Sequence, residues 1–205
     1  MTAAVRVPPM LPYLQQADFL PPEEHAALLD WTLANAARFA PAELAGGVVD
    51  PGARHALRLG DLGPIEAAFA ARLRAALPGW IEALRITPFE VSDLQLELVA
   101  HNHGAHFVLH SDTYTTEHGA RGDRMVSAVY YFHREPKRFD GGCLRLHRLG
   151  AKPGDPGIDI APTQNSLLVF PAWGPHEVME VSCPSEDFAD SRFAVNCWFY
   201  RKRVR

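Results

Sequence analysis

Val91-Ser92-Asp93-Leu94-Gln95-Leu96-Glu97-Leu98 marks the point at which this chain changes character. Leu94, Leu96 and Leu98 alternate with Gln95 and Glu97, the period of a strand with one buried face, because successive side chains point to opposite sides of an extended backbone. Further strand-like runs follow at Met125–Phe132, Cys143–Leu149, Ser166–Phe170, His176–Val181 and Phe193–Tyr200, separated by Gly, Pro and Asp clusters. Upstream the period is helical. Pro21-Pro22-Glu23-Glu24 opens one helix, with prolines fixing its entry and acids at its positive end, and Ala27, Leu28, Trp31 and Ala34 form its apolar face. Ile65, Phe69, Leu73 and Leu77 fall at four-residue steps in a second helix, which Pro78-Gly79 stops, Trp80 to Leu84 adding at most one more turn. Residues 1–20, with Pro8, Pro9 and Pro12, form an extended lead-in, and Gly46 to Leu59 is turn-rich with room for short edge strands. Helices followed by strands predict an α+β, mainly β domain in which N-terminal helices support one face of an antiparallel sandwich or barrel.

The chain has 205 residues, 47% of them apolar, which fits one globular domain over 1–205, with a helical support region at 1–90 and a β core at 91–200. A formal net charge of -4 argues against a protein that neutralises nucleic-acid phosphates, so no nucleic-acid partner is expected. The one basic run, Arg201-Lys202-Arg203-Val204-Arg205, reads as a solvated terminus. Cys143, Cys183 and Cys197 have no CxxC spacing and read as free thiols. Met1 to Leu20 lacks a basic start followed by an apolar core, and no later segment has the length of a membrane span, so a cytoplasmic protein without membrane contact is expected.

Five of the ten histidines, His101, His103, His106, His110 and His118, lie between positions 101 and 118. Spacing selects His110, two residues from Asp112 in His110-Ser111-Asp112, because on an extended segment both side chains reach the same face. His101 and His103 form a pair with no nearby carboxylate. His176 follows the buried-strand pattern Ser166–Phe170 and the turn Ala172-Trp173-Gly174-Pro175, and can complete a set of two imidazoles and one carboxylate. That set leaves positions open on an octahedral ion, the arrangement that suits non-haem Fe(II) oxygenases. Arg192 heads the apolar run Phe193–Phe199 and must be paired or reach solvent, because an unpaired buried guanidinium is costly. A dicarboxylate would pair with it through a bidentate contact.

These pieces, in this order, resemble the Fe(II)- and 2-oxoglutarate-dependent dioxygenases, in particular their prolyl 4-hydroxylase-like branch. The resemblance runs from about Leu94 to Tyr200. It comprises His110-Ser111-Asp112, the arginine-led strand Arg124–Phe132 with its paired Tyr130 and Tyr131, the turn Gly141-Gly142-Cys143-Leu144, the strand from Pro162 to Phe170 before His176, and the Arg192-led final strand. It implies a double-stranded β-helix, or cupin-like jelly roll. It also implies Fe(II) held by His110, Asp112 and His176, with Arg192 and Tyr131 binding the far carboxylate of 2-oxoglutarate. The catalytic set would then be His110, Asp112, His176 and Arg192, and O2 the oxidant. Two departures stand out. Where some relatives place a tyrosine on the strand entering the site, this chain has Ala100 and Phe107, and His101 is the residue that could replace that contact. Ser182–Ser191 reads as an inserted acidic loop.

The implied reaction hydroxylates a C–H bond while 2-oxoglutarate and O2 become succinate and CO2. A prolyl residue in a protein or peptide is the first expectation for substrate, ahead of a free amino acid or other small metabolite. Two rival readings stay open: a cupin-type metalloenzyme without cosubstrate, drawing on His101 and His103, and a non-catalytic metal-binding domain. Thr113 to Gly122, just after the ligand pair, reads as a candidate lid, and Trp173 as packing beside the opening.

Overall fold

The computed structural model describes residues 10–44, 46–113 and 121–203. Its strands are β1 Leu14–Gln16, β2 Ala40–Pro41, β3 Arg54–His55, β4 Leu57–Leu59, β5 Val91–His101, β6 His106–His110 and β7 Asp123–Phe132. Those that follow are β8 Asp140–Gly141, β9 Leu144–Leu146, β10 Ile158–Ile160, β11 Ser166–Pro171, β12 His176–Val178, β13 Val181–Ser182 and β14 Arg192–Arg201. A seven-stranded sheet in the order β1-β11-β7-β14-β5-β4-β2 faces a five-stranded sheet in the order β10-β9-β12-β6-β3, and every pairing is antiparallel. This is the expected jelly roll backed by helices.

Two helices, α1 Pro22–Ala34 and α2 Glu66–Ala83, cover the outer face of the larger sheet. Leu98, Val195, Phe199, Val126 and Tyr130 from the strands share one buried core with Leu28, Phe69, Leu73, Leu77 and Trp80 from the helices. The inner face carries the alternate residues, Val99, Ala194, Tyr131, Val129, Leu168 and Phe170, which meet Leu144, Leu146 and Ile160 of the smaller sheet. The outer core thus closes the fold and leaves the inner face free to line a cavity.

Several sequence expectations need correction. The face of α1 is set by Leu28 and Thr32, with Leu29 and Leu33 beside them, whereas Ala27 and Ala34 are exposed. Thr32 is accommodated because its hydroxyl donates to the Leu28 carbonyl at 2.7 Å. Helix α2 runs through Pro78-Gly79. Both residues are exposed, the carbonyl that Pro78 strands belongs to exposed Arg74, and buried Trp80 and Leu84 extend the apolar stripe past the proline. The strand expected at His176–Val181 is two pieces, β12 and β13, with a register irregularity against β6 between His176 and Val178. β1 lies within the expected lead-in and pairs with β11.

Asn165, at φ 51°, fastens that lead-in. Its side chain accepts from the Leu20 N–H at 3.0 Å and donates to the Leu20 carbonyl at 2.9 Å. The Ser182–Ser191 segment is also anchored: Arg134 ion-pairs with buried Asp190, Ser185 donates to Asp190 at 2.8 Å, and Phe188 packs on Phe193 at 5.3 Å. Among the described residues no helix is long and apolar enough to cross a membrane.

Candidate active site

Strand β6 ends at His110, and Asp112 follows it; β12 begins at His176, directly opposite His110 in the ladder. Pairing two strand ends in this way brings two imidazoles and one carboxylate together, with one ligand atom of each within 4.8 Å of the others. His110 Nε2 lies 3.8 Å from Asp112 Oδ1, and His176 Nε2 lies 3.8 Å from Asp112 Oδ2. The Nδ1 of His110 meets the Val108 carbonyl at 2.8 Å and that of His176 meets the Gly174 carbonyl at 2.9 Å. A carbonyl only accepts, so each Nδ1 carries the proton and each Nε2 lone pair is left for a ligand. Asp112 is oriented in turn by Ser127, whose hydroxyl donates to Oδ2 at 2.6 Å.

At His110 and Asp112 the electrostatics favour the metal-binding forms. Burial, reinforced by His176, pushes His110 down to about 3 against the opposing pull of Asp112 and the Val108 carbonyl. Burial alone would raise the Asp112 carboxyl, but His176, His110, Arg124 and Ser127 together hold it below its ordinary value. A neutral imidazole and an ionised carboxylate are the forms that bind a divalent ion.

A cavity of about 500 Å³ opens over these residues and extends to Arg192, which is 1% exposed. The guanidinium lies over the Tyr131 ring, 4.8 Å from its centroid, and its Nη1 is 3.0 Å from His101 Nδ1. Among the described residues no carboxylate acts on it, and both Arg192 Nε and Tyr131 Oη are buried without a hydrogen-bond partner. Burial pushes the Tyr131 phenol up to about 12 despite the lowering effect of Arg192, so it stays protonated as a donor. Gly142, at φ 65°, makes room: a Cβ there would fall 2.8 Å from Arg192 Cδ and 2.8 Å from Val181 Cγ2. A buried cation with orphaned donors beside a three-ligand set fits a metal-chelating dicarboxylate.

The structure brings His110, Asp112 and His176 to one place and Arg192 and Tyr131 to another, while Tyr130 faces the outer core. His101 belongs to the second group through its bond to Arg192 and takes no part in the ligand set. His103 accepts from the Cys183 N–H at 3.2 Å. Trp173 packs partly buried against the outer core. The candidate lid at Thr113–Gly122 lies outside the described residues over 114–120. Ser127, the Arg54–Glu97 ion pair and the cavity-lining Gln95 and Asn196 carry no motif in the sequence. The period of two in β5 was the available signal, since it places Gln95, Glu97 and His101 on one side of the strand.

The description of the 2OG-Fe(II) oxygenase superfamily matches residues 96–200, half of the chain and the whole of this site. The chain belongs to that superfamily. Fe(II) is the metal cofactor of this superfamily and 2-oxoglutarate and O2 its cosubstrates, and a His-Asp-His set that could hold the metal is present. An uncharacterised PKHD-type hydroxylase of Synechocystis is 40% identical over 136 residues, which cover 64% of this chain; the chain spans 44% of the length of that relative. Among solved structures, a Pseudomonas putida prolyl-4-hydroxylase superposes with a TM-score of 0.67 at 25% identity, covering 92% of both chains. A Trichoplax adhaerens prolyl hydroxylase, solved with a peptide fragment of the hypoxia inducible factor oxygen degradation domain, gives 0.67 at 19% identity, covering 92% of this chain and 83% of that one. The second likeness shows the fold alone.

Proposed function

We propose that this 2OG-Fe(II) oxygenase is a hydroxylase acting on a prolyl residue in a protein or peptide, with His110, Asp112 and His176 holding Fe(II). Arg192 and Tyr131 receive the distal carboxylate of 2-oxoglutarate. The observation that carries this reading is the buried guanidinium of Arg192, which has no carboxylate partner among the described residues and lines the same cavity as His110, Asp112 and His176. Bound together, metal and cosubstrate would supply the oxidising power to convert R–H, O2 and 2-oxoglutarate into R–OH, succinate and CO2.

The chain's own residues orient and exclude. Val108 and Gly174 carbonyls fix the imidazole tautomers, Ser127 fixes the carboxylate, and the apolar Val129, Leu144 and Val178 line the cavity and limit water there. At the other end, buried Arg124 lies over the Trp198 ring at 4.0 Å and donates to Tyr200 at 2.7 Å and Gln95 at 3.1 Å, forming a rigid wall for the substrate side chain. Support for a prolyl substrate comes from the likeness to the Pseudomonas putida enzyme and from a cavity with room for a ring beside the cosubstrate. A cosubstrate-free metalloenzyme would have no use for an unneutralised Arg192.

The test is anaerobic titration of metal-stripped protein with Fe(II) and then 2-oxoglutarate. A weak visible charge-transfer band is expected in the parent and none in His176→Ala. Succinate release stimulated by prolyl peptides, with hydroxyproline found by mass spectrometry, is the expected product; absence of the band in the parent removes the reading.

A further inference from the structure

We propose that His101 is a positioning residue for cosubstrate binding: it fixes the Arg192 guanidinium by a hydrogen bond that leaves its positive charge unneutralised. This rests on the reading of Arg192 given above.

His101 and Arg192 are directly opposed where β5 and β14 pair, and both are buried, at 4% and 1% exposure. Arg192 Nη1 can only donate, so at 3.0 Å the His101 Nδ1 must be the acceptor. The ring proton then sits on Nε2, and His101 lines the cavity. One ring thus holds the arginine with one nitrogen and offers a donor with the other. Burial first, and Arg192 next, push His101 well below its ordinary value; Arg54, His55 and His106 act in the same direction, so the imidazole stays neutral.

Neutrality is the point of the device. A carboxylate at 101 would form an ion pair with the guanidinium and remove the field that an incoming carboxylate needs. An apolar side chain would leave Nη1 without an acceptor, and the guanidinium would have one fewer restraint beside Gly142 and the Tyr131 ring. An imidazole acceptor satisfies one N–H and spares the charge.

The experiment compares two ligands on Fe(II)-loaded protein without oxygen, read by the chelate absorption band. The ligands are 2-oxoglutarate and 2-oxobutyrate, the latter lacking the second carboxylate. His101→Phe is expected to weaken 2-oxoglutarate about tenfold or more while leaving 2-oxobutyrate within about twofold, the loss corresponding to one hydrogen bond to a charged group. His101→Asp should weaken 2-oxoglutarate further, by about a hundredfold, and His101→Asn, which can still accept, should restore much of the affinity. Equal losses for both ligands, or an unchanged ratio in all three variants, would overturn the role of His101 while leaving the dioxygenase intact. No 2-oxoglutarate binding by the parent would instead remove the dioxygenase reading and the positioning role together.

Discussion

The two faces of β5, β14 and β7 are made from alternate residues of the same strands, yet they are held together by different physics. The outer face presents Leu98, Val195, Phe199 and Tyr130 to the helices and is satisfied entirely from within the protein. The inner face presents His101 and Arg192 at one end and Gln95 and Arg124 at the other, and leaves Arg192 Nε and Tyr131 Oη without partners among the described residues. Stability resides on the first face and recognition on the second, so damage to one should spare the other.

The largest expected effect breaks the outer face. Phe69 is fully buried in α2, edge-on to Phe19 at 6.0 Å and to Tyr130 at 5.5 Å. Phe69→Ala removes most of a ring from a core that can only partly collapse, and should cost about 3–5 kcal/mol in chemical denaturation. The protein that remains folded should bind 2-oxoglutarate with parental affinity. A large change in that affinity would show that the helices tune the site.

The next prediction reverses the pattern. Arg192→Met keeps length and volume but removes a buried cation that no carboxylate of the described residues neutralises. Lifting a desolvation cost of several kcal/mol offsets one lost hydrogen bond to a charged group, about 1.5–3 kcal/mol, so unfolding free energy should be at or above the parental value. Affinity for 2-oxoglutarate should fall about a hundredfold, as for loss of one partner of a buried charge pair. A stability loss like that of Phe69→Ala would make Arg192 a structural residue and end the contrast between the faces.

How much of this was legible in the sequence follows the same division. The outer face was, because periods of two and 3.6 are imposed by backbone geometry, and the Phe69-Leu73-Leu77 stripe of α2 stands where the spacing put it. Its end was misread because Pro78 was weighed without knowing that it faces water while Trp80 faces the core. The candidate ligand set, which the structure brings within reach of one ion, was legible through the two-residue step from His110 to Asp112 and the ordered segments around it. What stayed hidden depends on contacts across the sheet: Ser127 reaching Asp112, Arg54 pairing with Glu97, and His101 facing Arg192. No local pattern specifies which residue will lie opposite another on a strand about 90 positions away.

The smallest expected effect is a pH dependence that belongs to the inner face. His110 is held at about 3 in the fold by burial and by His176, and His101 is held well below 6.5 by burial and Arg192. Both sites therefore bind fewer protons when folded than when unfolded at mildly acidic pH, so folding stability rises with pH in that window. The contribution is fully present above 6.5 and is lost as pH falls from 6.5 toward 3. Metal-free protein should accordingly unfold at progressively lower urea concentration over that range. Replacing His101 with Phe removes one of the two groups, so urea midpoints for His101→Phe should fall less steeply between pH 6.5 and 4.5 than those of the parent. Parallel slopes would remove His101 from the titrating set and leave the dependence to His110 or to His25, which sits against the outer-face Tyr130 at 2.7 Å and is lowered by burial and then by His133; a slope that also persists in His110→Phe would single out His25. Acid sensitivity would then belong to the docking of α1 rather than to the cavity.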